Sequence, residues 1–339
     1  MYHLPIPPER TGLELDEFLC LSFPLLTKGF LRRQVREGKI TIDGGPAVPS
    51  QRLRSNQVIL IDFDEDEEVP GSPVAPLLSI PVLYEDESVL AVDKPADLAA
   101  EPERWARGNA CLSGALLELA LERSNVDPDE PLVPTKGLEF RPRLLHRLDK
   151  DTTGVVLVAK TIEAERALRI AFDTGDVHKT YLALVEGEYP LAEGANEIID
   201  LPIGPDERKS GRMRVDKAGG KPSQTRVSVE QCFKGYSLMR CEPLTGRTHQ
   251  IRVHMREVGF PLAVDPVYGR KTSLSLSEFK RDYRPKRGQP ESPLIERLTL
   301  HAWKIDFQRV GGEGRVVVEA PIPKDLARVI KQMAKFRAP

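Results

Sequence analysis

The chain has few cysteines and no clear excess of either charge. Its four cysteines, Cys20, Cys111, Cys232 and Cys241, show no C-x-x-C spacing. They read as reduced, mostly buried thiols of a cytosolic protein rather than as a disulfide framework. The formal charge is −2, from 49 basic and 51 acidic residues. That excludes a globally basic nucleic-acid binder, so any RNA contact must come from local clustering. No run approaches the roughly 20 apolar residues of a membrane span. The opening MYHLPIPPER lacks the basic-then-apolar order of a signal peptide, and no transit peptide is supported. No internal repeat is visible. The expectation is a soluble cytoplasmic protein with no membrane partner.

What is present suffices for packed cores. The apolar fraction is 40%, and 339 residues exceed the usual single-domain size, so two domains are expected. Residues 12–63 read as a compact unit. Leu15, Phe18, Leu19 and then Ser22-Phe23 fall on a helical period. A second helix carries the stripe Phe30, Leu31, Val35 and stops at Gly38. Ile40 and Ile42 alternate as a strand, Asp43-Gly44-Gly45 is a turn, and NQVILIDF closes the unit as another strand. Lys28, Arg32, Arg33, Arg36 and Lys39 line the second helix. Most charge clusters are solvated helix faces. Here, however, basic residues outnumber Glu37 and Asp43 between Lys28 and Arg54, as phosphate neutralisation requires.

Residues 64–76, DEDEEVPGSPVAP, are acidic and then rich in Pro, Gly and Ser. That is linker composition, and its acidic run would repel phosphates. Residues 77–335 alternate short strands with helices, a pattern that fits α+β better than a regular parallel array. PVLYEDESVLAVDKPADL reads as two strands joined at Glu85-Asp86-Glu87, with a loop opening at Lys94-Pro95. Gly114–Arg123 and Glu163–Phe172 read as amphipathic helices.

The most informative string is LLHRLDKDTTGVVLVAK, Leu144 to Lys160. It sets Asp149 behind a basic residue, before a polar turn and the strand Val155–Ala159. An Asp in a tight turn is usually structural, bonding nearby amides. The full string resembles the HRLDxxTSG signature of the RluA-like, large-ribosomal-subunit type of pseudouridine synthase, with Thr153 where Ser is commoner. TGRTHQIRVHM, Thr245 to Met255, and HKTYLALVEG, His178 to Gly187, resemble that family's other motifs in the family's order. The Lys94-Pro95 loop resembles its first motif, but Asp97 stands where a Gly is usual.

The resemblance implies a pseudouridine synthase fold, a mixed, mostly antiparallel sheet with flanking helices and a central cleft. It also implies that 12–63 is an S-four-like RNA-binding module. By the same resemblance the catalytic residues are Asp149, Tyr181 and Arg252. Asp149 is the nucleophile and Arg252 its ionic partner. Tyr181 packs on the target base and takes part in proton transfer at the sugar. Arg147 fills the gap left by a flipped nucleotide. Asp151 is read as a turn residue bonding amides around Thr153, and Thr248 as the cap of a helix that Gly259 stops.

The isomerisation consumes no cosubstrate, so no cofactor is expected. His249 and His254 lack the neighbours of a zinc site, so no metal is expected either. The expected substrate is structured RNA, 23S rRNA first and transfer RNA as the alternative, acted on by a monomer. A catalytically silent RNA-binding protein is the rival from another class. A glycoside hydrolase would commonly need a second carboxylate, and no motif supplies one. Arg208–Val227 is rich in cations and glycines and reads either as a basic hairpin clamping RNA or as a disordered loop.

Overall fold

The computed structural model describes residues 2–23, 28–62, 79–101, 111–123, 142–192, 194–284 and 290–338. The 64–76 segment read as a linker lies outside them. In the N-terminal unit, β1 (Tyr2–Pro5), α1 (Leu15–Ser22), α2 (Lys28–Arg36), β2 (Ile40–Ile42), β3 (Gly45–Pro46) and β4 (Val58–Ile61) form two helices on a sheet ordered β1-β4-β2-β3. Leu15, Phe18, Leu19, Phe23, Leu31 and Val35 are buried against Ile40, Ile42, Ile59 and Ile61. Asp43 and Gly44 both take positive φ, 52° and 76°, as a twist-matched two-residue hairpin turn requires. Tyr2–Pro5 pairs antiparallel with β4, upstream of the expected start at 12. A four-residue strand ending in proline gives too little alternation to be read from sequence.

The larger sheet is built from β5 (Val82–Glu85), β6 (Val89–Lys94), β7 (Arg143–Leu144), β8 (Thr153–Ala159), β9 (His178–Glu186), β10 (Asn196–Asp200), β13 (Gln224–Phe233), β14 (Tyr236–Pro243), β15 (Leu300–Gln308) and β16 (Arg315–Glu319). Its order is β10-β13-β14-β9-β15-β8-β6-β5, with β16 on β15 and β7 on β8. β11 (Ile203–Pro205) and β12 (Met213–Val215) form a separate ribbon. The helices are α3 (Leu112–Arg123), α4 (Ile162–Thr174), α5 (Gln250–Glu257) and α6 (Lys324–Phe336). Thr161 caps α4 by accepting the Ala164 amide at 3.1 Å, and Gly175 ends it in the left-handed conformation.

β8 and β15 pair in parallel, whereas the other strand pairs of this sheet are antiparallel. β8 is buried along its whole length, which is why it reads as an unbroken apolar run. Its register places Gly154 beside Ala302, and Ala302 pairs on its other edge with Tyr181. A Cβ at Gly154 would stand 2.1 Å from the Ala302 carbonyl oxygen, at a φ of +115°. Only glycine fits there. This close approach draws the Asp149 turn, at the entry to β8, towards Tyr181 on β9.

Candidate active site

The Asp149 turn is closed by the Thr152 amide, which donates to the Asp149 carbonyl at 3.0 Å. It is anchored from below by Lys94. That side chain is fully buried, and its Nζ donates to the carbonyls of Pro95, Leu98 and Lys150, each at 2.8 Å. Three donated bonds require the ammonium form. Burial pushes the Lys94 pKa down to about 8, opposed by the charges of Asp151 and Asp149. The same loop carries Asp97 at a φ of 59°. Asp97 therefore adopts the left-handed conformation, one that Asp tolerates better than most residues. Among the described residues no backbone amide bonds the Asp151 side chain, contrary to the expected turn role. The Asp149 carbonyl closes the turn instead.

Arg252 lies on α5 and is buried, as are all of Gln250 to Met255. Its Nη1 donates to Asp149 Oδ2 at 2.7 Å. Its other edge is taken by Asp265: Nε donates to Oδ2 and Nη2 to Oδ1, both at 2.8 Å. Asp265 is 1% exposed. Its Oδ1 also accepts the amides of Val267 and Tyr268 at 2.8 and 2.9 Å. Burial pushes the Asp265 carboxyl up, but the Arg252 fork and the two amides more than offset it and hold its pKa below the ordinary value. Burial likewise works against the Arg252 charge, and Asp265 and Asp149 overcome it. The site thus holds a guanidinium that is always charged and fixed in orientation.

Thr248 is not the cap of α5. The N-cap position is His249, at φ 56° with no side-chain cap bond. Gln250 anchors the helix start instead. Its Oε1 accepts from Thr245 Oγ1 at 2.7 Å and from the Arg247 amide at 3.0 Å. Its Nε2 donates to the Gln224 carbonyl at 2.9 Å. His249 Nε2 faces Asp149 Oδ1 at 3.8 Å.

Tyr181 is half-buried and packs against the cores on both sides of the sheet. Burial, and then the charge of Asp149, raises its pKa, so it is a phenol at neutral pH. Arg147 is exposed and donates to Glu101 Oε2 at 3.0 Å. A surface pair of this kind is worth about 1 kcal/mol or less and lets go readily. His146, His254 and His301 hold the scaffold. His146 Nε2 accepts the Leu157 amide at 3.0 Å. His254 Nε2 donates to the Leu201 carbonyl at 2.9 Å, and its Nδ1 pairs with Thr225 Oγ1. His301 Nδ1 pairs with Thr153 Oγ1 at 2.9 Å.

In the N-terminal unit, Lys28 and Arg32 both reach the fully buried Asp16, at 3.2 and 2.6 Å. Arg33 lies 3.9 Å from Glu37, and Arg36 is exposed. Sequence reading proposed Asp149, Tyr181 and Arg252 together with Arg147, Lys28, Arg32, Arg33 and Arg36, and the structure joins Asp149 to Arg252. It missed Asp265, Lys94 as an anchor, and the contact of His249 with Asp149. The pair Val267-Tyr268 after a lone Asp carries no periodic signal.

The fold is shared with a solved pseudouridylate synthase domain. The human RNA pseudouridylate synthase domain containing 4 superposes with a TM-score of 0.54 at 20% identity, covering 75% of this chain and 92% of that one. A family model described as RNA pseudouridylate synthase matches residues 88–257. Ribosomal large subunit pseudouridine synthase D of Nitrosomonas europaea is 33% identical over 328 residues, covering 97% of this chain and 86% of that protein. The synthase of the same name from Pseudomonas aeruginosa is 30% identical over 332 residues, covering 98% and 95%. Ribosomal large subunit pseudouridine synthase C of Pasteurella multocida is 30% identical over 341 residues, covering 96% and 92%. The chain belongs to the RNA pseudouridylate synthase family, in its RluA-like branch, and is an isomerase of RNA uridines. Among the described residues no helix is long and apolar enough to cross a membrane.

Proposed function

We propose that this protein isomerises uridines of 23S rRNA in the cytoplasm, with Asp149 as the attacking carboxylate. The observation that carries the reading is the bond from Arg252 Nη1 to Asp149 Oδ2, on a guanidinium already clamped by Asp265. The names of the relatives, large-subunit rRNA synthases, support the choice of RNA.

The reaction breaks the C1′–N1 bond, turns the uracil and joins C1′ to C5. The proton on C5 leaves, and N1 gains one. Asp149 acts at the sugar, held in place by the fixed guanidinium beside it. Tyr181 lies against the extruded base as a neutral phenol and takes part in proton transfer at the sugar. Extruding the base costs a few kcal/mol. Arg147, once released from Glu101, stacks into the gap. Residues 12–63 form the RNA-binding module and 77–335 the catalytic domain. The cations of α2 bind phosphates, and this binding weakens with salt.

The test is release of tritium from C5-tritiated uridine in 23S rRNA and transfer RNA transcripts, followed by mapping of pseudouridines in cells with and without the gene. Release from 23S transcripts supports the proposal. Release from transfer RNA alone would move the substrate, and no release from either would refute it.

A further inference from the structure

The oxygen of Asp149 that Arg252 leaves free is Oδ1, and it faces one nitrogen of His249. The protonation of that nitrogen is set at the other side of the ring. His249 Nδ1 is 2.7 Å from the Tyr268 hydroxyl, and that hydroxyl accepts the Met213 amide, also at 2.7 Å. Tyr268 is 4% exposed. A buried hydroxyl hydrogen needs an acceptor, and His249 Nδ1 is the acceptor it has among the described residues. Nδ1 therefore receives a hydrogen bond, and the proton of the neutral imidazole sits on Nε2. An Nε2–H also suits the carboxylate oxygen opposite it, where a lone pair would be repelled.

The chain of contacts begins in the β11–β12 hairpin. Met213 is the first residue of β12, and the exposed tip before it carries Arg208 and Lys209. Arg212 stacks over the Tyr268 ring at 5.0 Å, and Arg252 also lies over that ring, at 4.9 Å. The hairpin is thus a two-stranded ribbon packed on Tyr268 and Val253, and its hydrogen bond to the site runs through the Tyr268 hydroxyl.

We propose that His249 is a positioning residue for Asp149, held as its Nε2–H tautomer by Tyr268, and that the hold depends on the seating of the β11–β12 hairpin through the Met213 amide. This deepens the reading of Asp149 as the reacting carboxylate and rests on it. The chain Met213 N–H, Tyr268 O–H, His249 Nε2–H, Asp149 Oδ1 thus runs from the cationic hairpin to the carboxylate. The charged and titratable groups around His249 are Asp149, Arg252 on its own helix, Asp265 and Tyr268 after that helix, and Arg212 on the hairpin. Burial lowers the His249 pKa, with Asp149 opposing and Arg252 adding to the effect, so the ring is neutral when it serves as donor.

The tautomer is read directly from long-range proton–nitrogen correlation spectra of the full chain labelled with nitrogen-15 histidine. His249→Gln assigns the signal by its loss. An Nε2–H ring supports the proposal and an Nδ1–H ring overturns it, whether or not the RNA substrate has been identified. The second measurement is single-turnover rate against pH with RNA saturating. Tyr268→Phe keeps the ring under Arg212 and Arg252 and removes only the hydroxyl. It should slow the step by up to about tenfold, the size of one neutral hydrogen bond, and move the acid limb to higher pH, because Nδ1 is then free to take a proton. RNA affinity should change little. His249→Gln restores an N–H near Nε2 but cannot titrate, so it should lack the acid limb that belongs to His249. Wild-type rates and an unmoved pH profile in both variants would overturn the proposal. Should Tyr268→Phe not fold, the wild-type tautomer and the His249→Gln profile still decide. Loss of turnover in the wild type itself would count against the assigned reaction and leave the tautomer result standing.

Discussion

Asp149 and Asp265 are held by different edges of one guanidinium. Arg252 gives Nη1 to Asp149 at 2.7 Å and gives Nε and Nη2 to Asp265 at 2.8 Å each. The two-point side faces the deeper carboxylate, which is also bonded by two backbone amides. The one-point side faces Asp149. Asp265 therefore sets the aim of Arg252, and Arg252 sets that of Asp149.

Asp265→Asn tests this order. The amide keeps one oxygen for the Val267 and Tyr268 amides but cannot accept the fork in full. With the fork broken, the single-turnover rate should fall about ten- to a hundredfold, as expected for lost hydrogen bonds to a charged group. RNA affinity should change by less than about threefold, since no phosphate-binding cation is removed. A full rate in a folded Asp265→Asn protein would mean that Arg252 is aimed by other contacts.

Arg252→Lys should hurt more than the retained charge suggests, because an ammonium lacks the planar two-point fork. Arg252→Met should be worse. It leaves Asp265 buried without its cation, and deleting one partner of a buried pair costs about 3–5 kcal/mol. In wild type, burial raises the Asp265 pKa and Arg252 offsets that. In the Met variant only burial and the amides remain, so the carboxyl takes up a proton at higher pH than in wild type. The Met variant should therefore lose most at low pH and recover in part as pH rises. The check is single-turnover rate against pH for the three proteins, and equal rates near neutrality would contradict it.

The α2 cations divide into two pairs. Lys28 and Arg32 also neutralise Asp16, which is fully buried. Removing both should destabilise the N-terminal unit as well as weaken binding. Arg33→Ala with Arg36→Ala should weaken RNA binding with little change in the melting temperature, and should lower the salt slope by up to about one per lost phosphate contact. Binding measured at two salt concentrations, beside thermal melts, separates the two effects. An unchanged slope in the Arg33/Arg36 variant would remove α2 from the RNA interface.

The catalytic strings were legible because each holds several residues whose types and spacing agree. Asp149, Tyr181 and Arg252 all fall within such strings. Asp265 does not, since it is a lone carboxylate thirteen residues beyond its arginine, joined to it by tertiary packing alone. Lys94 was hidden for a different reason. A lysine reads as solvent-facing, and three converging backbone carbonyls leave no mark in the sequence. The helices of the N-terminal unit were legible from their apolar periods, whereas β1 is too short and too proline-limited to show. His249 was weighed as a metal ligand. Its tautomer depends on a hydroxyl and an amide from two distant segments, which periodicity cannot join.

His301 carries a pH dependence of stability. It is fully buried, and burial pushes its imidazole down to about 4. The folded chain keeps it neutral while the unfolded chain takes up a proton below about 6.5. Its contribution is therefore complete above about 6.5 and is lost as pH falls from there towards 4, by on the order of 3 kcal/mol at the limit. Urea unfolding at pH 7.5 and pH 5 should show a larger drop for wild type than for His301→Gln. Equal drops would show that His301 is not a source of acid sensitivity.

The most direct test is tritium release from C5-tritiated 23S rRNA transcripts by wild type and by Asp149→Asn, with RNA affinity and melting temperature measured on the same preparations. The isosteric amide keeps an oxygen for Arg252 but can neither carry charge nor attack the sugar. The expected result is turnover reduced to background, with RNA affinity and melting temperature close to wild type. Near-normal turnover by the Asn protein would place the reacting group elsewhere and undo the assignment of Asp149.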